Sequence, residues 1–223
     1  MPRAQGRAWR AALWIAAALA GGLSAQGAAA QDATAPDRNL SFTVMRNGSV
    51  IGHHDVTFRH DGGKLIVDID VSIKVDAMFV TVFRYTQQRE ETWQGGRLIA
   101  FASHTNNDGE LYDNSGAAGP GGITVTSGAA TWTLPADSLP IGYWDAAMVK
   151  RGPLFDTVTG KPVVAAATAV GEETIEAAGR RITATHYRLE GPQPRDLWYD
   201  AQGRWVKMRA RGRDGSIAEW ILK

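Results

Sequence analysis

Residues 64–75, KLIVDIDVSIKV, place Leu65, Val67, Ile69, Val71, Ile73 and Val75 at every second position. Lys64, Asp68, Asp70, Ser72 and Lys74 fill the positions between them. A period of two is that of a strand with one buried face. This run of twelve residues is about twice the usual strand length. It therefore predicts a large curved sheet rather than a compact small barrel.

The flanking sequence continues the pattern. Leu40, Phe42 and Val44 share one face, and Val50, Gly52, His54, Val56 and Phe58 share the next. A two-residue Asn47-Gly48 loop would pair Val44 with Ile51 and put Val56 and Phe58 on the wrong side. A three-residue loop, Arg46-Asn47-Gly48, pairs Val44 with Val50, so the pattern predicts a type I turn with Gly48 left-handed in a bulge. Asp61-Gly62-Gly63, Asp76-Ala77 and Gly95-Gly96 are further turns. Residues 78–85 (MFVTVFRY) are apolar on both faces, which predicts either cover on both sides or a partner on one, at Phe79, Phe83 and Tyr85. Residues 87–91 read as a polar extension, 97–104 as a returning strand, 106–109 as a loop and 116–122 (GAAGPGG) as a flexible loop. Residues 123–134 hold one or two short strands, and 143–150 is the single short-helix candidate, stopped by Gly152-Pro153. Strands follow at 162–170, 180–189, 196–199, 204–211 and 216–222. The predicted fold is mainly β: a single curved antiparallel sheet or open barrel with one short helix.

The first thirty residues form an address. Arg3, Arg7 and Arg10 precede an apolar stretch at 11–23, and Ala28-Ala29-Ala30 supplies small residues for cleavage. That is the layout of a secretory signal peptide. The apolar run is shorter than a membrane span and breaks at Gly21-Gly22. The expected organisation is a signal peptide at 1–30, a flexible lead-in at 31–39 and a single antiparallel β domain at 40–223, with no membrane span after cleavage. With no Cys in the chain, the exported product has no lipid anchor, disulfide, thiolate metal site or cysteine nucleophile. A balance of 24 basic and 23 acidic residues supplies no excess charge to drive nucleic-acid binding.

The signals for chemistry are mostly negative. Adjacent His53 and His54 on a strand point to opposite faces, so one metal ion cannot easily use both. Aligning Gly109 with the invariant glycine of a calcium loop puts His104 where Asp belongs and Ser115 where Glu belongs. No nucleophile elbow, His-Glu-x-x-His or phosphate loop follows the leader, and no metal or cofactor is expected. Two aromatic clusters are more unusual: Tyr143-Trp144 at the head of the helix candidate, and Trp198-Tyr199 leading to Trp205. Trp198 and Tyr199 alternate faces. Together with His54 these side chains are the candidate ligand-binding set, although filling a shallow sheet accounts for them too.

An ordered set of motifs runs through the chain: Phe42-x-Val44-x-Arg46-Asn47-Gly48-x-x-Ile51-Gly52-x-His54, Phe83-Arg84-Tyr85, Glu91-x-Trp93-x-x-Gly96-Arg97-Leu98 and Thr105 to Gly109. Tyr143-Trp144, Thr159-Gly160 and Leu197-Trp198-Tyr199-Asp200-x-x-Gly203-Arg204-Trp205-Val206-Lys207 complete it. In these the chain resembles a family of exported Gram-negative bacterial proteins, a domain of unknown function numbered 6134. The resemblance covers nearly all of 31–223. It implies a periplasmic setting and one domain, and carries no activity or catalytic residue.

Three functions are expected in descending order. The first is a non-enzymatic periplasmic protein holding a hydrophobic or lipid-like ligand on a concave face. Curved sheets under a helical lid resemble the lipoprotein carriers of the envelope, an analogy of fold alone. The second is an envelope module that docks a protein partner. The third is a hydrolase pairing His104 or His186 with Asp108 or Asp200.

Overall fold

The computed structural model describes residues 38–212 and 214–223; the expected signal peptide and most of the lead-in lie outside them. Thirteen strands form one antiparallel sheet in the order β12-β13-β14-β15-β16-β1-β2-β3-β4-β5-β6-β7-β8. The first meander is β1 (Leu40–Arg46), β2 (Ser49–Asp61), β3 (Lys64–Ala77), β4 (Val80–Gln94), β5 (Arg97–Asn107), β6 (Glu110–Gly119), β7 (Gly122–Ser127) and β8 (Ala130–Leu134). The second is β12 (Ala166–Ala177), β13 (Arg180–Glu190), β14 (Arg195–Asp200), β15 (Trp205–Arg211) and β16 (Ile217–Leu222). Strand β16 pairs with β1, so the end of the chain closes on the first described strand in mid-sheet.

This order dictates what happens between the meanders. Strands β8 and β12 are the two opposite edges, so residues 135–165 must cross the whole sheet. They do so over its inner face, as a strap containing β9 (Leu139–Pro140), a 3-10 turn (Ala146–Val149), β10 (Leu154–Phe155) and β11 (Pro162–Val163), the three strands forming a small sheet of their own. The helix expected at 143–150 shrinks to that 3-10 turn. Asp145 accepts a hydrogen bond from Ala147 N at 2.8 Å as its cap, but Tyr143, at φ 60, ends any helix before it.

The alternating residues of β3 all face inward and are buried, as are Leu40, Phe42, Val44 and Val56. Several local expectations are corrected. The β1–β2 turn is the two-residue Asn47-Gly48, with both residues at positive φ and Arg46 opposite Ser49. A bulge at Ile51 then shifts the register, so that Val44 faces Gly52 and Phe42 faces His54. The apolar faces still coincide, but Val50 is left exposed. Gly52 is obligatory at that crossing, because a Cβ would lie 1.9 Å from Ser72 O. Strand β3 runs through Asp76-Ala77 and turns at Met78-Phe79 instead. The 116–122 loop is mostly strand, since Gly116 lets the Phe101 ring lie flat against β6, where a Cβ would meet it at 2.3 Å. The strand expected at 162–170 divides into β11 and the start of β12, which continues to Ala177.

Candidate functional site: an aromatic interior beneath a strap

Five of the six aromatic and histidine candidates converge under the strap. Trp205 packs on Phe42 at 4.0 Å between ring centroids, on His54 at 5.1 Å and on Tyr143 at 5.5 Å. The Tyr199 hydroxyl donates to Tyr143 O at 2.8 Å and so pins the strap to β14. Burial pushes the Tyr199 phenol well above its ordinary value, which keeps it a donor. Trp144 stands edge-on to Trp93 at 5.5 Å and to Phe58 at 5.4 Å. His54 is wholly enclosed; burial, then the charge of Arg89, lowers its pKa to about 3, so it is a neutral ring packed among aromatics.

A polar seam runs beside this cluster. Arg89 and Glu91 are buried, and Arg89 Nε lies 2.9 Å from Glu91 Oε1, off-axis for a hydrogen bond but within ion-pair reach. The other carboxylate oxygen of Glu91 accepts from Trp93 Nε1 and from Trp144 Nε1 of the strap, both at 3.0 Å. Arg89 donates to Thr157 of the strap at 2.6 Å and to Gln87 at 3.2 Å. Asn114 donates to Val158 O and Trp132 to Gly160 O. Residues 87–91 do continue β4 as a polar stretch, but Gln87, Arg89 and Glu91 point into the interior while Gln88 and Glu90 stay exposed on the outer face. The signal was present in the sequence: Gln87, Arg89 and Glu91 share the strand parity of Tyr85 and Trp93.

Trp198 lies on the outer face, stacked on His186 at 4.4 Å and 13°. Glu173 accepts from Trp198 Nε1 at 2.9 Å and contacts His186 Nδ1 at 2.8 Å, while His186 Nε2 lies 2.9 Å from Asp196. Hydrogen bonds from Trp198 and His186 hold the Glu173 carboxyl below its ordinary range. Burial raises that of Asp196, but His186, Arg209 and Arg188 outweigh it and hold it low. Lys207 and Arg209 cover the Trp198 ring at 5.5 and 5.4 Å. The histidine partners differ from those expected. His104 pairs with Asp113, and His186 with Glu173 and Asp196. Asp108 ties its turn to β4 by accepting from Arg84 N, and Asp200 serves its own turn by accepting from the backbone of Gln202 and Arg204. The docking candidates also separate. Phe79 is fully exposed, whereas Phe83 and Tyr85 are partly buried against the core.

The outer face of β2 to β7 carries an open concavity of about 700 Å³ whose lining includes Asp55, Asp70, Gln88, Glu90, His104 and Asp113. Beneath the strap a crevice of about 70 Å³ lies beside Ile141, Tyr143 and Leu189. Among the described residues no group of three or more His, Asp or Glu is placed to hold a metal ion, and no helix is long and apolar enough to cross a membrane.

The model of a domain of unknown function, DUF6134, matches residues 42–223. The chain belongs to the DUF6134 family. The match begins at Phe42, so it takes in the aromatic interior, the strap and the outer histidine network alike. No curated protein matches this DUF6134 chain. Among solved structures it is similar to a beta-barrel-like protein of a different domain of unknown function, DUF1849, from Brucella abortus. That likeness has a TM-score of 0.61 at 11% identity and covers 83% of this chain and 94% of the other. It shows the fold, shared over nearly the whole described part of the DUF6134 chain.

Proposed function

We propose that this DUF6134 protein is exported to the periplasm and there binds a hydrophobic or lipid-like ligand, without catalysis, on the inner face of its sheet after the strap moves aside. One observation carries the reading. Among the described residues no backbone–backbone hydrogen bond joins residues 138–163 to the large sheet; every such bond of the strap is made within it. The strap is held by side chains alone, at Glu91, Arg89, Asn114, Trp132 and Tyr199. Such a unit can leave without breaking a sheet ladder, and its departure uncovers Trp205, Phe42, Trp93 and the apolar row of β3. The histidine–carboxylate contacts, His104–Asp113 in the outer concavity among them, lie on the outer face, so the interior itself is read as a binding surface.

The chain's lack of Cys permits a clean test. An Asn114→Cys/Val158→Cys variant, placed where Asn114 meets Val158 O, is designed to fasten the strap to β6 by a disulfide whose formation is verified by mass spectrometry. A fluorescent fatty acid should bind the native protein and the reduced variant, and should be excluded by the oxidised one. Failure of the native protein to bind, together with only unliganded mass in native mass spectrometry, overturns ligand binding. Export is tested separately, by fractionation and by N-terminal sequencing of the product, for which cleavage after Ala30 is expected.

A further inference from the structure

We propose that the β3–β4 hairpin tip, Met78-Phe79, is a membrane-insertion point that seats this protein on a lipid bilayer. The proposal concerns a surface remote from the strap and does not depend on ligand uptake.

The first observation is a comparison within the molecule. Five two-residue hairpin tips have both central residues at positive φ and end in glycine: Asn47-Gly48, Gly62-Gly63, Gly95-Gly96, Asp108-Gly109 and Ala178-Gly179. That is the residue choice such turns demand. Met78-Phe79 takes the same left-handed path, at φ 45 and 69, with two bulky side chains. No turn chemistry recommends them, and L-residues of this size are strained there. Nor does packing: Met78 is 92% exposed and Phe79 107%. Strain and exposure are both accepted at this tip, and neither serves the fold.

The second observation is shape. The last β2 partner of β3 is Ile73, and the first β5 partner of β4 is Tyr85. Beyond these the hairpin has no partner in the ladder; Val75 and Phe83 still pack on the core, and residues 76–82, all exposed, form the free tip. Val80 and Val82 on its flank are 63% and 53% exposed. The adjacent tips at the same end of the sheet carry two more exposed apolar residues, Val50 and Leu111. Of the eight exposed large hydrophobics among the described residues, these six lie at one end of three neighbouring hairpins.

The occupant follows from area and charge. The four apolar side chains of the projecting tip offer on the order of 500 Å², short of the roughly 800 Å² per partner in a specific protein interface. The exposed tip, residues 76–82, can be surrounded by lipid without any complementary surface. Charge gives no stronger claim to another partner. Lys74 is paired with Asp76 at 2.9 Å, which leaves Arg84 as a single exposed cation near the tip, short of a charged patch. Insertion should therefore be driven by apolar transfer, with Phe79 deepest, and should persist as salt is raised.

The test uses the protein recovered from cells that express the full chain. Phe79→Cys carries an environment-sensitive fluorophore, and Asp61→Cys, next to the tip at the opposite end of β3, carries the same label as control. With phosphatidylethanolamine/phosphatidylcholine vesicles, the label at 79 should shift to the blue and be shielded from iodide, while the label at 61 stays unchanged. Flotation with the vesicles should fall about tenfold in Phe79→Glu. It should fall similarly in Met78→Asn/Phe79→Gly, which restores the ordinary turn. A label at 79 indifferent to vesicles overturns the proposal, as does an equal response of both labels, which marks general adsorption. Shielding of the label at 79 by a vesicle-free extract but not by vesicles also overturns it, in favour of a protein partner. If a tip variant fails to fold, the two labels still decide.

Discussion

At the residue scale, the interior holds two groups whose burial has measurable consequences. Glu91 is completely enclosed, faces Arg89, and accepts two indole protons, one from each side of the strap interface. Removing one charge of a buried pair strands the other, so Glu91→Gln should destabilise the protein by about 3 kcal/mol, measured by urea unfolding. His54 has a pKa lowered from 6.5 to about 3 by burial. Between those values the unfolded chain holds a proton that the folded chain does not, so acid favours unfolding. The stability associated with His54 is present above about pH 6.5 and is lost as pH falls toward 3. At the acid limit it amounts to on the order of 5 kcal/mol. In His54→Phe, which removes a buried ring whose Nε2 has no partner, unfolding free energies between pH 4 and pH 7 should flatten. Strand parity made the inward position of His54 legible in the sequence. It held the same information for Arg89 and Glu91, but their charge argued for solvent. Their mutual ion pair, Gln87, the indoles of Trp93 and Trp144 and the hydroxyl of Thr157 make that burial tolerable, and Trp144 and Thr157 are brought by a segment more than fifty residues away.

At the scale of the element, the strands were legible and their turns were less so. A period of two survives any single error, whereas a turn depends on one or two residues. The β1–β2 hairpin illustrates this. Apolar alignment was correctly demanded, but the chain satisfies it with a bulge inside β2 rather than a longer loop, a choice that sequence pattern cannot distinguish. Gly52 is the consequence, because the shifted register brings the strand backbones too close for a side chain. Gly52→Ala should cost about 3 kcal/mol, read as a lowered denaturation midpoint with unchanged slope. The Met78-Phe79 turn makes the opposite prediction. Met78→Asn/Phe79→Gly relieves two left-handed bulky residues and should stabilise the fold by about 1–2 kcal/mol, seen as a raised Tm, even as it removes the apolar tip.

At the scale of the whole molecule, the strap separates from the sheet in energetic terms. The sheet is a continuous ladder of thirteen strands, while the strap has ladders of only two residue pairs at each of its two pairings. Native-state hydrogen exchange should therefore release the amides of 139–163 through smaller openings than those of β1 to β5, in a separate cooperative step. Exchange of both regions together, at the free energy of global unfolding, contradicts a detachable strap. What the sequence by itself determined is the β class, the antiparallel sense, the inward row of β3 and the family, because local alternation and short-range motifs carry all four. The tertiary structure alone decided that the two meanders meet at β1 and β16. It also decided that their far edges are joined across the inner face, and that this crossing covers the aromatic and apolar rows of that face. Those outcomes rest on pairings between residues as distant as Phe42 and Leu222, which no local pattern encodes.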